Sequence, residues 1–201
     1  MIRTVVFDFG QVLASGTGVI EEASALLDVP PDDYARVYWA GRTAYDAGAS
    51  DADYWTPVLA ALGKPTTPEM VDRLARLDAQ LWAVMRPEAR ALLRDVRAFG
   101  RTVAVLSNAP FSVDLAFADA DYAQDADLWF VSASMGIVKP NPAIYTRVEE
   151  GTQTDPEEIA FIDDNALNVA AALRAGWKAH LWVSDADSRA WLVGIGALPP
   201  Q

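Results

Sequence analysis

Cysteine is absent from the 201 residues, and histidine occurs once, at His180. The first absence excludes disulfides, thiolate zinc sites and a cysteine nucleophile. The second excludes sites built from several histidines and argues against hydrolysis centred on an imidazole. Positive charge is scarce: 16 Lys and Arg stand against 28 Asp and Glu, a formal charge of −12. Such a chain repels a phosphate backbone rather than displacing its counterions, so no nucleic-acid partner is expected. No apolar run approaches the roughly 20 residues that span a bilayer, so no membrane partner is expected either. Asp8 falls where the apolar stretch of a secretory leader would run, and the expected location is the cytoplasm. What is plentiful is apolar surface, at 52% of residues against 22% charged, the balance of a folded globular protein. The length suits one large domain, or a core domain with a smaller insert; monomer and dimer both stay open.

The chain has two textures. Short apolar, β-branched and aromatic runs at 2–7, 103–106, 128–131, 159–162 and 179–183 read as buried strands. Helical patterns separate them. Residues 88–99 carry apolar positions at 89, 92, 93, 96 and 99, with Gly100 placed to end the helix. Asn141-Pro142 opens another as N-cap and first-turn proline, and 165–175 form a third, closed by Gly176. Strands alternating with helices of this length predict an α/β core with a Rossmann-like parallel sheet. Residues 14–85 show no strand pattern. Helices are predicted at 18–28, 32–47, 51–62 and 68–84, punctuated by Pro30-Pro31, Gly48 and Gly63-Lys64-Pro65. The expected organisation is a core of residues 1–13 and 86–201 with an all-helical cap at 14–85.

Ligands of an open parallel sheet bind beyond the carboxyl ends of its strands. Here those ends carry Asp8, then Ser107-Asn108, then Lys139 after the third strand, then Asp163-Asp164-Asn165. Each has a plainer explanation on its own. Asp8 could be a turn residue, Ser107-Asn108 a helix cap, Lys139 solvated surface and Asp163-Asp164 an N-cap pair. Two adjacent acids after an apolar run repel one another unless a cation or donor compensates, which favours a metal. A glycine-rich phosphate loop is missing, so a nucleotide-binding reading of Asp8 has no support. Together the set fits phosphoryl transfer. An aspartate can attack phosphorus, Mg²⁺ can bridge an anionic nucleophile and an anionic substrate, and a hydroxyl and an ammonium can hold the phosphoryl oxygens.

These segments resemble the motifs of the haloacid dehalogenase superfamily, and the resemblance runs the length of the chain. Val5-Val6-Phe7-Asp8-Phe9-Gly10-Gln11-Val12-Leu13 is similar to its first motif and Val103-Ala104-Val105-Leu106-Ser107-Asn108 to its second. Gly136-Ile137-Val138-Lys139-Pro140-Asn141-Pro142 matches the third, and Phe161-Ile162-Asp163-Asp164-Asn165 the fourth. The resemblance implies a hydrolase acting on a small phosphorylated metabolite, with Asp8 as nucleophile. Mg²⁺ would be held by Asp8, the Gly10 carbonyl and Asp164, with Asp163 beside them. Ser107, Asn108 and Lys139 would hold the phosphate. Lys139-Pro140 is expected to be cis. The chain departs from the usual pattern at Gly10, where most of the family's phosphatases carry a second aspartate as general acid and base. The departure resembles a branch that includes sugar-phosphate phosphatases. Glycine there implies a rate that depends on leaving-group acidity, unless water or a cap residue such as Asp46 donates the proton. Two alternatives remain: a metal-independent 2-haloacid dehalogenase, and a non-catalytic binding or regulatory protein with the same fold.

In the cap, Arg42, Tyr45 and Asp46 are candidates for choosing the substrate, although a solvated surface is the simpler expectation for all three. Trp39, Trp55 and Trp82 are expected to pack in the core, His180 to be structural, and the basic residues 86, 90, 94 and 97 to form a solvated helix face.

Overall fold

The first apolar run forms strand β1 (Thr4–Phe7), whose four residues are all buried. In this computed structural model, which describes residues 1–200, β1 is the central strand of a five-stranded sheet. Five helices follow it: α1 (Val19–Leu27), α2 (Pro31–Ala40), α3 (Arg42–Asp46), α4 (Asp51–Ala61) and α5 (Pro68–Trp82). The chain then returns through α6 (Pro87–Ala98), β2 (Thr102–Ser107), α7 (Phe111–Asp119), β3 (Leu128–Val131), α8 (Ser132–Met135) and α9 (Pro142–Thr152). It ends with β4 (Ile159–Asp163), α10 (Ala166–Arg174), β5 (Lys178–Leu181) and α11 (Asp185–Gly194).

The strand order is β3-β2-β1-β4-β5, and every pair is parallel. The chain winds outward from β1 to β3, then crosses back to β4 on the other side. Connections leaving β1 and β4 therefore diverge and open a crevice at their carboxyl ends. Alternate residues feed two apolar layers. Val5, Phe7, Val103, Val105 and Ile162 pack on one face, and Val6, Ala104, Leu106 and Phe161 on the other. A third apolar cluster, built on Tyr34, Tyr38, Trp55, Leu59 and Leu74, lies within α1–α5. Trp82 packs against this cluster and against the sheet's own core.

Several expectations need correction in detail. The first strand starts at Thr4 and the last spans Lys178–Leu181, while the helix predicted at 32–47 is broken at Gly41 into α2 and α3. The basic positions on α6 are not a free solvated face. Arg90 and Arg94 both pair with the buried Asp125, Arg97 pairs with Asp127, and Arg86 with Asp185. His180 is structural as expected, hydrogen-bonded to Asp187 at 2.6 Å and stacked on Trp191.

The α3 segment is pinned to the sheet's carboxyl edge. Gly48 sits at φ +103°, and a Cβ there would lie 2.9 Å from the carbonyl of Ala133. Gly48→Ala should therefore destabilise the protein by about 1–3 kcal/mol, through backbone strain and lost contact between α3 and α8. Chemical denaturation measures this directly, and an unchanged midpoint would contradict it.

Candidate active site

The register of the sheet assembles the floor of the site. Phe7 is paired with Ile162 and with Val105, so the next residue, Asp8, lies beside Asp163 and Leu106. The Asp8 amide donates to the Ile162 carbonyl at 2.9 Å, which fixes the position of its side chain. Lys139 reaches in from the loop before α9. Its Nζ donates to Asp8 Oδ1 and Asp163 Oδ2, each at 2.7 Å, and to the Leu106 carbonyl at 2.9 Å. The Lys139-Pro140 bond is cis, as expected.

Asp163 and Asp164 diverge. The Asp163 side chain is fully buried and accepts from Lys139, from the Asn165 amide at 2.8 Å and from Asn168 Nδ2 on both oxygens. Those bonds occupy its acceptor sites. Asp8 and Asp164, by contrast, line an open cleft of about 260 Å³ together with Gly10, Ser107, Asn108 and Lys139. Asn108 also braces the third motif. Its Nδ2 donates to the Lys139 carbonyl at 3.0 Å and its Oδ1 accepts from the Lys139 amide at 2.8 Å. The side chain expected to touch phosphate thus holds Lys139 in place.

The electrostatics are unbalanced. Carboxylate oxygens of Asp8, Asp163 and Asp164 lie within 4.8 Å of one another. One ammonium stands among three acids. Burial pushes the Asp8 carboxyl up to about 7 despite the pull of Lys139, and Asp163 adds to the rise. Burial and Asp163 raise Asp164 in the same direction. Burial works against the charge of Lys139, but Asp163 and Asp8 outweigh it and hold the ammonium above its ordinary value. A divalent cation with oxygen ligands fits a set that is short of positive charge.

Side chains of α2, α3 and α5 line the cleft opposite the sheet edge, and here the sequence-based expectation needs correcting. Arg42, Tyr45 and Asp46 are not solvated; all three are buried, and Arg42 and Asp46 line the cleft. Arg42 is held by Asp78 of α5, by Tyr38 of α2 and by Asp46, to which its Nε donates at 2.9 Å. Tyr45 instead faces Asp51, Ser112 and Trp55. Of the tryptophans, Trp55 is in the core as expected, but Trp39 is half exposed, and both Trp39 and Trp82 wall the cleft. Trp82 lies directly over Gly10, where an added Cβ would meet its ring at 3.4 Å. Ser132 stands out in the sequence only as the end of the third apolar run, and Asn168 has no marked setting. The one available signal for Asn168 is its place four residues after Asp164, one helical turn along α10.

This architecture has known counterparts. Residues 2–176 match the haloacid dehalogenase-like hydrolase family, and the chain belongs to it. It is an enzyme fold of the hydrolase class, and two relatives at the sequence level are phosphatases. One, a phosphatase of Mycobacterium tuberculosis, is 28% identical over 188 residues, covering 90% of this chain and 87% of that one. A sesquiterpene phosphatase of Aspergillus oryzae is 26% identical over 178 residues, covering 87% and 86%. Among solved structures, the L-2-haloacid dehalogenase of Xanthobacter autotrophicus superposes with TM-score 0.74 at 20% identity, covering 100% of this chain and 85% of that one. A family enzyme of Bacteroides thetaiotaomicron, solved with magnesium and inorganic phosphate, gives TM-score 0.68 at 20% identity, covering 90% and 94%. Among the described residues, no helix is long and apolar enough to cross a membrane.

Proposed function

We propose that the chain is a Mg²⁺-dependent phosphatase of a small phosphorylated metabolite, with Asp8 as the nucleophile. The observation that carries this reading is the cleft floor: an aspartate held by a buried lysine, beside two further carboxylates and a serine, at the sheet's switch point. The two phosphatase relatives support the same reaction class. On this reading residues 14–85 cap a core of 1–13 and 86–201.

Asp8, Asp164 and the Gly10 carbonyl would hold the metal, and Asp163 would act behind them by fixing Lys139. Mg²⁺ in that place would neutralise the repulsion between the Asp8 carboxylate and the phosphate and polarise the phosphoryl oxygens. The chain's own residues do the rest. Ser107 and Lys139 hold the equatorial oxygens, whose charge must be stabilised during transfer. Lys139 also orients the Asp8 carboxylate. Asp8 attacks phosphorus, the bond to the leaving oxygen breaks, and an aspartyl-phosphate results. Water then attacks the phosphorus of this acyl phosphate and the phosphorus–Asp8 bond breaks, freeing phosphate and Asp8.

Trp39, Trp82 and Phe9 along the cleft suit a leaving group with an apolar face, whether a sugar ring or an apolar alcohol. A dehalogenase reading fits less well, because Asp164 beside Asp8 would repel a carboxylate substrate. Turnover should be measured on a panel of sugar phosphates, nucleotides, aryl phosphates and isoprenyl phosphates, with added Mg²⁺ and with a chelator. Phosphate release that requires Mg²⁺ is expected. Metal-independent halide release from 2-haloacids, with no phosphate release, would replace this reading by the dehalogenase one.

A further inference from the structure

Phosphoryl transfer to Asp8 leaves an alkoxide unless something protonates it, and Gly10 offers no proton. The space above Gly10 holds no acid either, because the Trp82 indole covers it. Trp82 is fixed there by its Nε1, which donates to Tyr38 Oη at 2.8 Å, and Tyr38 in turn donates to Asp78 at 2.6 Å. Asp78 binds Arg42, and Arg42 binds Asp46. The same network that fills the place over Gly10 thus ends in a carboxyl group that lines the cleft with Asp8.

Asp46 is anchored to the core as well as to the cap. Its carbonyl accepts from Ser132 Oγ, and that oxygen accepts from the Ala109 amide at 2.9 Å. Ala109 follows Ser107-Asn108, so two hydrogen bonds tie Asp46 to the loop that would hold the phosphate. Gly48 packs against Ala133 on the same edge. Asp46 is only 9% exposed. Arg42 Nε occupies its Oδ1, which leaves Oδ2 for a proton.

We propose that Asp46, supplied by the cap, is the general acid and base of this site in place of the acid missing at position 10. The proposal rests on the phosphatase reading above. In the first step the Asp8 carboxylate forms the bond to phosphorus as the bond to the leaving oxygen breaks. That oxygen takes the proton from Asp46, which becomes a carboxylate. In the second step the Asp46 carboxylate takes a proton from water as the water oxygen bonds to phosphorus. The phosphorus–Asp8 bond breaks, and Asp8 and protonated Asp46 are restored. The charges around Asp46 agree with the role. Arg42 on α3 pulls its carboxyl down, Asp78 on α5 and burial push it up, and Tyr38 faces the same guanidinium from α2. Asp8, Lys139 and Asp164 lie across the cleft. Burial prevails over Arg42, and the group is held at about 6. That lies near the working range of a proton-transfer group.

The experiment compares first-turnover alcohol release, with Mg²⁺, from phenethyl phosphate and 4-nitrophenyl phosphate. The first needs its leaving oxygen protonated; the second leaves as a stable phenolate. Asp46→Asn should slow phenethyl alcohol release by on the order of 10²–10⁴-fold and 4-nitrophenol release by less than about tenfold. Asp46→Glu, which keeps an acid, should restore part of the phenethyl rate. If Asp46→Asn does not fold, the wild-type pH profile decides. The acid form is the competent one, so the phenethyl rate should fall relative to the 4-nitrophenyl rate as pH rises through about 6. The two esters lose their second proton at different pH, so each rate is referred to its own ester's dianion concentration before the ratio is taken. Equal losses on both substrates, no loss on phenethyl phosphate, or a ratio independent of pH would overturn the assignment of Asp46 while leaving the phosphatase reading intact. A wild-type protein that hydrolyses neither ester, nor any member of the phosphate panel, would overturn both.

Discussion

Asp8→Asn is expected to lower kcat by on the order of 10⁴–10⁶-fold, the scale seen when a covalent nucleophile is removed. The amide keeps the shape of the carboxyl but is not a competent nucleophile toward phosphorus. The fold should not suffer. Lys139 keeps Asp163 and the Leu106 carbonyl as partners, and the cluster loses one of three crowded acids. Burial already opposes the charge of Asp8, so removing that charge leaves the metal-free protein at least as stable. Two measurements check this. Rapid acid quench of the wild type during turnover, followed by peptide mapping, should find a phosphoryl group on Asp8 and none in the variant. Steady-state assay should give no more than about 0.01 per cent of wild-type kcat. Retention of more than that, with a folded protein, would remove Asp8 from the role of nucleophile.

What could be read from the sequence follows from how the fold delivers residues. Asp8, Ser107 and Asp164 each sit at or just beyond a strand end, a parallel sheet brings all such ends to one edge whatever the side-chain detail, and Lys139 joins them from the loop between α8 and α9. Short apolar runs between helix-forming segments were enough to locate those ends. Helices α1–α5 could not be read in the same way. Arg42 and Asp46 lie in a polar segment that looks solvated, and what buries them is Asp78, 36 residues downstream of Arg42 on another helix. No local pattern reports a pairing at that distance. Gly41 breaks the helix predicted at 32–47, yet a lone glycine is often tolerated inside a helix and gives no firm boundary. The arginines of α6 mislead for a related reason. Their spacing of three to four residues is that of a solvated stripe, but the acids they meet, Asp125 and Asp127, sit in the segment before β3. Asp163 and Asp164 look equivalent as neighbours in sequence. They part because consecutive residues at a strand end point to opposite sides, one toward Lys139 and Asn168, the other into the cleft.

Lys139→Met is expected to lower stability by about 3–5 kcal/mol in metal-free protein. Lys139 is almost fully buried and supplies the compensating charge for Asp8 and for Asp163. Methionine fills much the same volume and can bring its sulfur toward the Phe161 ring, over which the Lys139 ammonium lies at 5.5 Å. What it removes is the ammonium, leaving two buried carboxyl groups facing one another without a donor between them. The cost arises from that leftover pair and not from any intrinsic strength of the ion pair, so it should be reversible by taking away one acid. In Lys139→Met/Asp163→Asn a large part of the lost stability should return, because the amide at 163 can donate toward Asp8 while still accepting from Asn165 and Asn168. Urea denaturation of the two single variants and the double variant, read as a thermodynamic cycle, gives the coupling between positions 139 and 163. A coupling near zero would mean that Lys139 is retained for contact with substrate alone and that the two acids are tolerated in the core without it. A coupling of several kcal/mol would mean that the residue expected to grip phosphate is also what allows Asp8 to stand ionised beside Asp163 before substrate or metal arrives.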